Sequence, residues 1–206
     1  MQLTKRDIEI IKFVNEFGYC EMPQLMKRLG LKKTWLYQIM QRLIKAGFIQ
    51  HNYILHGQHG VYFVSNKGAK LTDLPPIERI TLGSYEHQKS ILSVYIKLRE
   101  RFPDAHWLSE RRLKHDKFFD GVGKVGHVSD GILLFPDGSQ IAIEVELSTK
   151  GKNRIEKILK DYGTQLSIKE VWYFCSPQVI SVLTSLAEKM PFIKIYNLTE
   201  FLNDQR

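Results

Sequence analysis

The chain has 206 residues and carries 30 lysines and arginines against 22 acids, for a formal charge of +8. Its 43% hydrophobic content is that of a folded protein and excludes a mostly disordered chain. No apolar run approaches the roughly 20 residues needed to cross a bilayer, which excludes a membrane-spanning helix. The start, MQLTKRDIEI, is charged and has no apolar signal block, so a cytoplasmic protein with no membrane partner is expected. Cys20 and Cys175 stand far apart, which argues against a disulfide framework or a cysteine zinc site. The charge is uneven. Residues 1–75 hold 11 basic and 5 acidic side chains, and residues 76–206 hold 19 and 17. A basic module joined to a nearly neutral one is the electrostatic footprint of a polyanion binder.

In chain order, residues 4–17 read as an amphipathic helix with Ile8, Ile11, Val14 or Asn15, and Phe17 on one face. Thr4 and Asp7 have capping-box spacing, and Gly18 supplies a left-handed stop. A short second helix starts at Pro23, turns Leu25, Met26 and Leu29 inward, and ends at Gly30. After the turn Gly30-Leu31-Lys32, a third helix is predicted over 33–46, with Leu36, Ile39, Met40, Leu43 and Ile44 as its buried stripe. This spacing is that of a helix-turn-helix. The outer side of the third helix then carries Lys33, Thr34, Tyr37, Gln38, Gln41, Arg42 and Lys45, with Lys32 just ahead of it. Such donors, acceptors and cations read base edges and phosphates in a major groove. Extended runs at 48–55 and 61–65, joined by the turn-forming tip 56–60, make a hairpin placed as a wing. His56 and His59 at its tip are set to reach phosphate or the minor groove. Double-stranded DNA is the expected partner. The run LYQIMQRLIKAGFI at 36–49, then the hairpin, then Ser65-Asn66-Lys67-Gly68, resembles the winged helix of bacterial regulators. Such a fold also serves protein contacts.

Pro75-Pro76 marks the expected boundary between a domain at 1–74 and one at 77–206. Residues 84–101 read as a helix with Ile91, Leu92, Tyr95 and Leu98 on one face. Residues 107–111 read as a short strand and 114–126 as a loop or flap. A strand at 127–135, a tight turn at 136–139 and a return strand at 140–147 follow. Then come a basic helix (153–162), a buried strand (171–175), a helix (177–190), a strand (192–196) and a terminal helical turn (198–202). The order predicts an α/β (α+β) chain: a winged helix-turn-helix followed by a mixed sheet with helices on its faces.

The return strand places Ile141, Ile143, Val145 and Leu147 on one face and Ala142, Glu144 and Glu146 on the other. Asp130 is set to face these acids from the neighbouring strand. Three close carboxylates repel one another unless a cation or basic partner sits between them. Two readings are open. Asp130 and Glu144 hold Mg²⁺, with Glu146 or Glu110 as a third acid and Lys150 as phosphate-facing cation. Alternatively, the acids belong to an ion-pair cluster with Arg111, Arg112, Lys150 or Arg154, or guard a sheet edge. Tyr162 reads as a packing residue, and the scattered histidines do not suggest zinc.

Ser129-Asp130, then Glu144-Val145-Glu146, resembles the hairpin signature of restriction-endonuclease-like domains, with Glu146 where those carry lysine. Over both halves the chain is similar to the replication-relaxation family of bacterial plasmids and integrative elements. The landmarks are Glu86-His87, Trp107-x-x-Glu110, His127-x-x-Asp130-Gly131, and Glu144-Val-Glu-Leu-Ser148 with Lys150. The resemblance implies DNA binding in plasmid replication, relaxation or conjugative mobilisation, with relaxase or replication proteins as partners. It implies Asp130, Glu144, Glu146 and Lys150 as catalytic residues only where nuclease activity is retained. A metal-dependent endonuclease and a winged-helix transcription regulator are the alternatives. Winged helices commonly act as dimers, so a homodimer is also expected.

Overall fold

The computed structural model describes residues 2–119, 127–149 and 151–204. Lys150 lies outside them, as does most of the predicted flap. Packing divides the chain into two compact units, residues 1–92 and 93–206.

In the first unit, α1 (Lys5–Glu16) starts as expected. The Thr4 hydroxyl accepts from the Asp7 backbone, and the Asp7 carboxylate accepts from the Thr4 N–H at 2.8 Å. Ile10, Ile11 and Val14 are fully buried, each contributing about 1.5–3 kcal/mol of apolar burial. β1 (Tyr19–Glu21) follows. It was not anticipated, because its three residues lie between a helix stop and a helix start, too few to show alternation. α2 (Met22–Leu29) ends at Gly30, whose φ of 63° is left-handed. α3 (Lys33–Lys45) buries Leu36, Met40 and Leu43. β2 (Ile49–Asn52) and β3 (Val61–Val64) are shorter than the predicted runs. They form an antiparallel sheet in the order β1-β3-β2. Three helices with this hairpin are a winged helix-turn-helix. Ser65 caps the single turn α4 (Asn66–Ala69), and its hydroxyl donates to the Gly47 carbonyl at 2.6 Å. A Cβ on Gly68 would lie 2.2 Å from the Phe48 carbonyl oxygen, so only glycine fits there.

The residues after Pro75-Pro76 do not leave the first unit at once. Ile77, Ile80 and Tyr85 pack with Tyr19 and Val61, and the buried Asn15 amide donates to the Leu74 carbonyl at 2.7 Å. The division between units falls inside α5 (Leu82–Arg101), 17 residues beyond the proline pair by sequence position. Ile77 and Ile80, just after the prolines, find an apolar surface beside the wing sheet, and their burial there favours keeping this segment with the first unit.

The second unit contains β4 (His106–Ser109), α6 (Glu110–Phe119), β5 (Gly131–Leu134), β6 (Gln140–Glu146), α7 (Lys152–Gly163), β7 (Ile168–Cys175), α8 (Pro177–Ala187), β8 (Ile193–Asn197) and α9 (Leu198–Asn203). The sheet runs in sequential order β4-β5-β6-β7-β8. β5 is antiparallel to β4 and β6, whereas β6, β7 and β8 are parallel. This is a mixed α/β sheet, as the element order predicts. Residues 114–119 belong to α6 rather than to a loop: Ser109 accepts from the Arg112 N–H at 3.1 Å and starts that helix. The charged composition belongs to a partly exposed helix, not to an irregular segment. Gly131 lies under the Trp107 indole, where a Cβ would come within 2.1 Å of Cζ2.

Candidate functional site

The polar face of α3 is presented as the sequence suggests. Lys32, Lys33, Thr34, Tyr37, Gln38, Gln41, Arg42 and Lys45 are all exposed. Residues 34, 38, 41 and 45 recur every three to four positions and therefore form one stripe along the helix. This stripe lies opposite the buried Leu36, Met40 and Leu43. His56 and His59 are exposed at the wing tip.

One residue of this set has another task. The Arg42 guanidinium meets Asp7 of α1 at 2.5 Å, and Asp7 is almost fully buried. Asp7 thus closes the α1 capping box with one oxygen and holds Arg42 with the other. Arg42 is a tether between helices first, and because Asp7 is buried while Arg42 is half-exposed the pair contributes on the order of 1 kcal/mol.

Aromatic side chains at this face were missed by sequence reasoning. Trp35 is 61% exposed and Tyr53 71% exposed. On the wing side, Tyr37 is hydrogen-bonded to Tyr62, whose phenol is pushed up by burial and by that contact. His51 packs against Tyr62 at 4.5 Å and edge-on to Tyr53 at 5.0 Å. Burial lowers the His51 pKa below its ordinary value. Gly60 allows the wing to close on it, since a Cβ there would lie 2.1 Å from His51 Nε2. The available signal was periodicity: Trp35 falls outside the apolar stripe of α3, so it had to be exposed.

The acids of the second unit are brought together, but in a closed setting. β6 is the middle strand, and every residue from Ile141 to Glu146 is buried. The edge-guard reading is therefore overturned. The face carrying Ala142, Glu144 and Glu146 is covered by α7 and α8. Glu144 is bonded to His127 Nε2 at 2.6 Å and accepts the Tyr162 hydroxyl proton. Its carboxyl is raised above the usual range by burial. His127 and Tyr162 oppose this and the Asp130 charge adds to it. Burial likewise pushes the Tyr162 and Tyr173 phenols up. Tyr162 is a packing residue with a specific bond. Asp130 accepts the Val145 N–H at 2.8 Å, while its backbone carbonyl accepts from Glu110 at 3.1 Å. β5 pairing begins only at Gly131, so the Asp130 side chain supplies an acceptor to a buried strand N–H beyond the end of that ladder. Glu110 lies at the surface, bridged to Lys114 at 2.5 Å.

Asp130 and Glu144, the pair expected to hold Mg²⁺, each have a carboxylate oxygen engaged within the protein: Oδ2 of Asp130 and Oε1 of Glu144 accept protein hydrogens. Glu144 and Glu146 border a cavity of about 10 Å³ with Ile155, Ile158, Tyr173, Val179 and Leu183. That is room for roughly one water. Among the described residues no three histidine, cysteine, aspartate or glutamate side chains gather at metal-binding geometry.

No protein-family model and no curated protein matches the chain. Among solved structures it is similar to the adhesin competence repressor AdcR of Streptococcus pyogenes. The identity is 15%, the match covers 59% of this chain and 79% of that one, and the TM-score is 0.32. At that level the likeness carries no functional argument.

Proposed function

We propose that this chain is a DNA-binding accessory protein of plasmid or mobile-element replication, relaxation or mobilisation. It docks on duplex DNA with α3 in the major groove and the wing tip beside it. The observation that carries this reading is the stripe Thr34, Gln38, Gln41 and Lys45, exposed along a helix whose other side is fully buried. Gln38 and Gln41 have the amide groups that pair with adenine edges, and Lys32, Lys33 and Lys45 neutralise phosphates. The basic surplus of residues 1–75 supports the same role. The mobile-element context rests on the resemblance to the replication-relaxation family, and relaxase or replication proteins are the partners it suggests.

We read the nuclease-like unit as a scaffold that does not cleave. In support, Asp130 and Glu144 are engaged in holding strands and helix together. The test has two arms. Footprinting across a plasmid origin or transfer region should show a protected site, with log affinity falling linearly in log salt concentration. Supercoiled plasmid incubated with Mg²⁺ or Mn²⁺ should be nicked no faster by the wild type than by Asp130→Ala. A footprint unchanged in a Gln38→Ala, Gln41→Ala double variant would overturn the docking assignment. Metal-dependent nicking lost in Asp130→Ala would overturn the scaffold reading.

A further inference from the structure

We infer that the winged helix takes DNA in which at least one base next to the duplex is unstacked, and that Trp35 is the side chain that stacks on it. This rests on the DNA-binding reading above and narrows its substrate. Trp35 is the third residue of α3, at the end that enters a groove first, and is 61% exposed. It lies off the polar stripe, on the flank shared with Arg42 two turns later. Tyr37, 42% exposed, lies on the opposite flank against Tyr62. The wing adds Tyr53, 71% exposed and edge-on to His51. Aromatic side chains thus border the stripe of Gln38 and Gln41 on both sides.

In a fully paired duplex the base faces are covered by their neighbours, and the major groove offers only edges. Amides and cations suit those edges; an indole offers a broad π-face and a single N–H. That face finds its match in an exposed base. Aromatic platforms interleaved with cations are how unpaired nucleic acid is held, and Lys32 and Lys33 adjoin Trp35 in sequence and are exposed. Aromatic side chains also suit protein interfaces, but lysines are depleted there; the exposed Lys32, Lys33 and Lys45 around these aromatics match a phosphate backbone instead.

The test is a fluorescence-anisotropy titration of the full chain against three labelled DNAs of one sequence: a paired duplex, the same duplex with a short unpaired bulge, and the single strand. Wild type, Trp35→Ala and Trp35→Phe are compared, with circular dichroism confirming equal folding. The wild type should prefer the bulged duplex. Trp35→Ala should lose roughly 5- to 150-fold there, the fold-change equivalent of stacking on one base, and little on the paired duplex. Trp35→Phe should retain most of the affinity. Equal losses on bulged and paired duplex would overturn the inference in favour of a contact with the intact groove. Unchanged affinity on all three DNAs would overturn it in favour of a protein-facing role. A wild type that binds none of the DNAs would overturn the DNA-binding reading itself, and the inference with it.

Discussion

The two units place polar side chains in opposite settings. On α3, Thr34, Gln38, Gln41 and Lys45 face solvent along a stripe. On β6, Glu144 and Glu146 are buried, and Glu144 is held by His127 and Tyr162. An exposed polar group is solvated and can exchange water for a ligand at little cost. A buried one must already be satisfied, since leaving it unpaired costs about 1–3 kcal/mol. The α3 stripe is therefore open to a ligand, whereas the Glu144 carboxylate already has protein partners.

This contrast makes separable predictions. The largest expected effect is on DNA affinity. Replacing Gln38 and Gln41 together by alanine should cost about 1–3 kcal/mol for each base edge that is no longer read. The urea midpoint should shift by no more than about 0.5 kcal/mol equivalent, because both side chains are exposed. A matching drop in stability would break the comparison. Next, Asp130→Ala should lower stability by about 1–3 kcal/mol, because it strips the Val145 N–H of this acceptor. Chemical denaturation measures the loss, and an unchanged midpoint would mean that the bond contributes nothing.

A pH series sharpens the same point. Glu144 has a folded-state pKa raised mainly by burial. Its stabilising contribution is therefore full below the unfolded value of about 4.3 and is lost as pH rises through the higher folded value. The urea midpoint of the wild type should fall relative to Glu144→Gln as pH climbs above about 4.3, and a parallel pair of curves would contradict the raised pKa. The smallest effect is expected from Arg42→Ala, about 1 kcal/mol of stability through loss of the Asp7 pair, in which only Arg42 is half-exposed. Its effect on DNA affinity should be smaller than that of Gln38→Ala. A larger one would return Arg42 to the DNA-reading set.

Much of the first unit was legible from periodicity and punctuation. Thr4 and Asp7 spelled the capping box, Gly30 the end of α2, and the spacing of Leu36, Met40 and Leu43 the inward side of α3. Ile10, not Ile8, is the fully buried partner of Ile11, because a helix one residue out of phase satisfies nearly the same pattern. β1 was illegible: it is a strand only because β3 lies beside it. In the second unit the strand acids were found and their grouping anticipated. Their surroundings were not, since His127 and Tyr162 lie 17 and 18 residues from Glu144 in sequence.

What the sequence by itself determined is the local grammar of the strongly periodic segments: where α1, α2, α3, α7 and α8 run and which faces of α3 are polar. Those features depend on interactions within a few residues, so a linear pattern carries them. Tertiary structure alone decided which polar residues remain available. Packing put Arg42 on Asp7 and left Trp35 uncovered, and it enclosed Glu144 between His127 and Tyr162. Burial and partnership depend on side chains brought from distant positions, and these set both the pKa of a carboxyl and the readiness of a surface to bind.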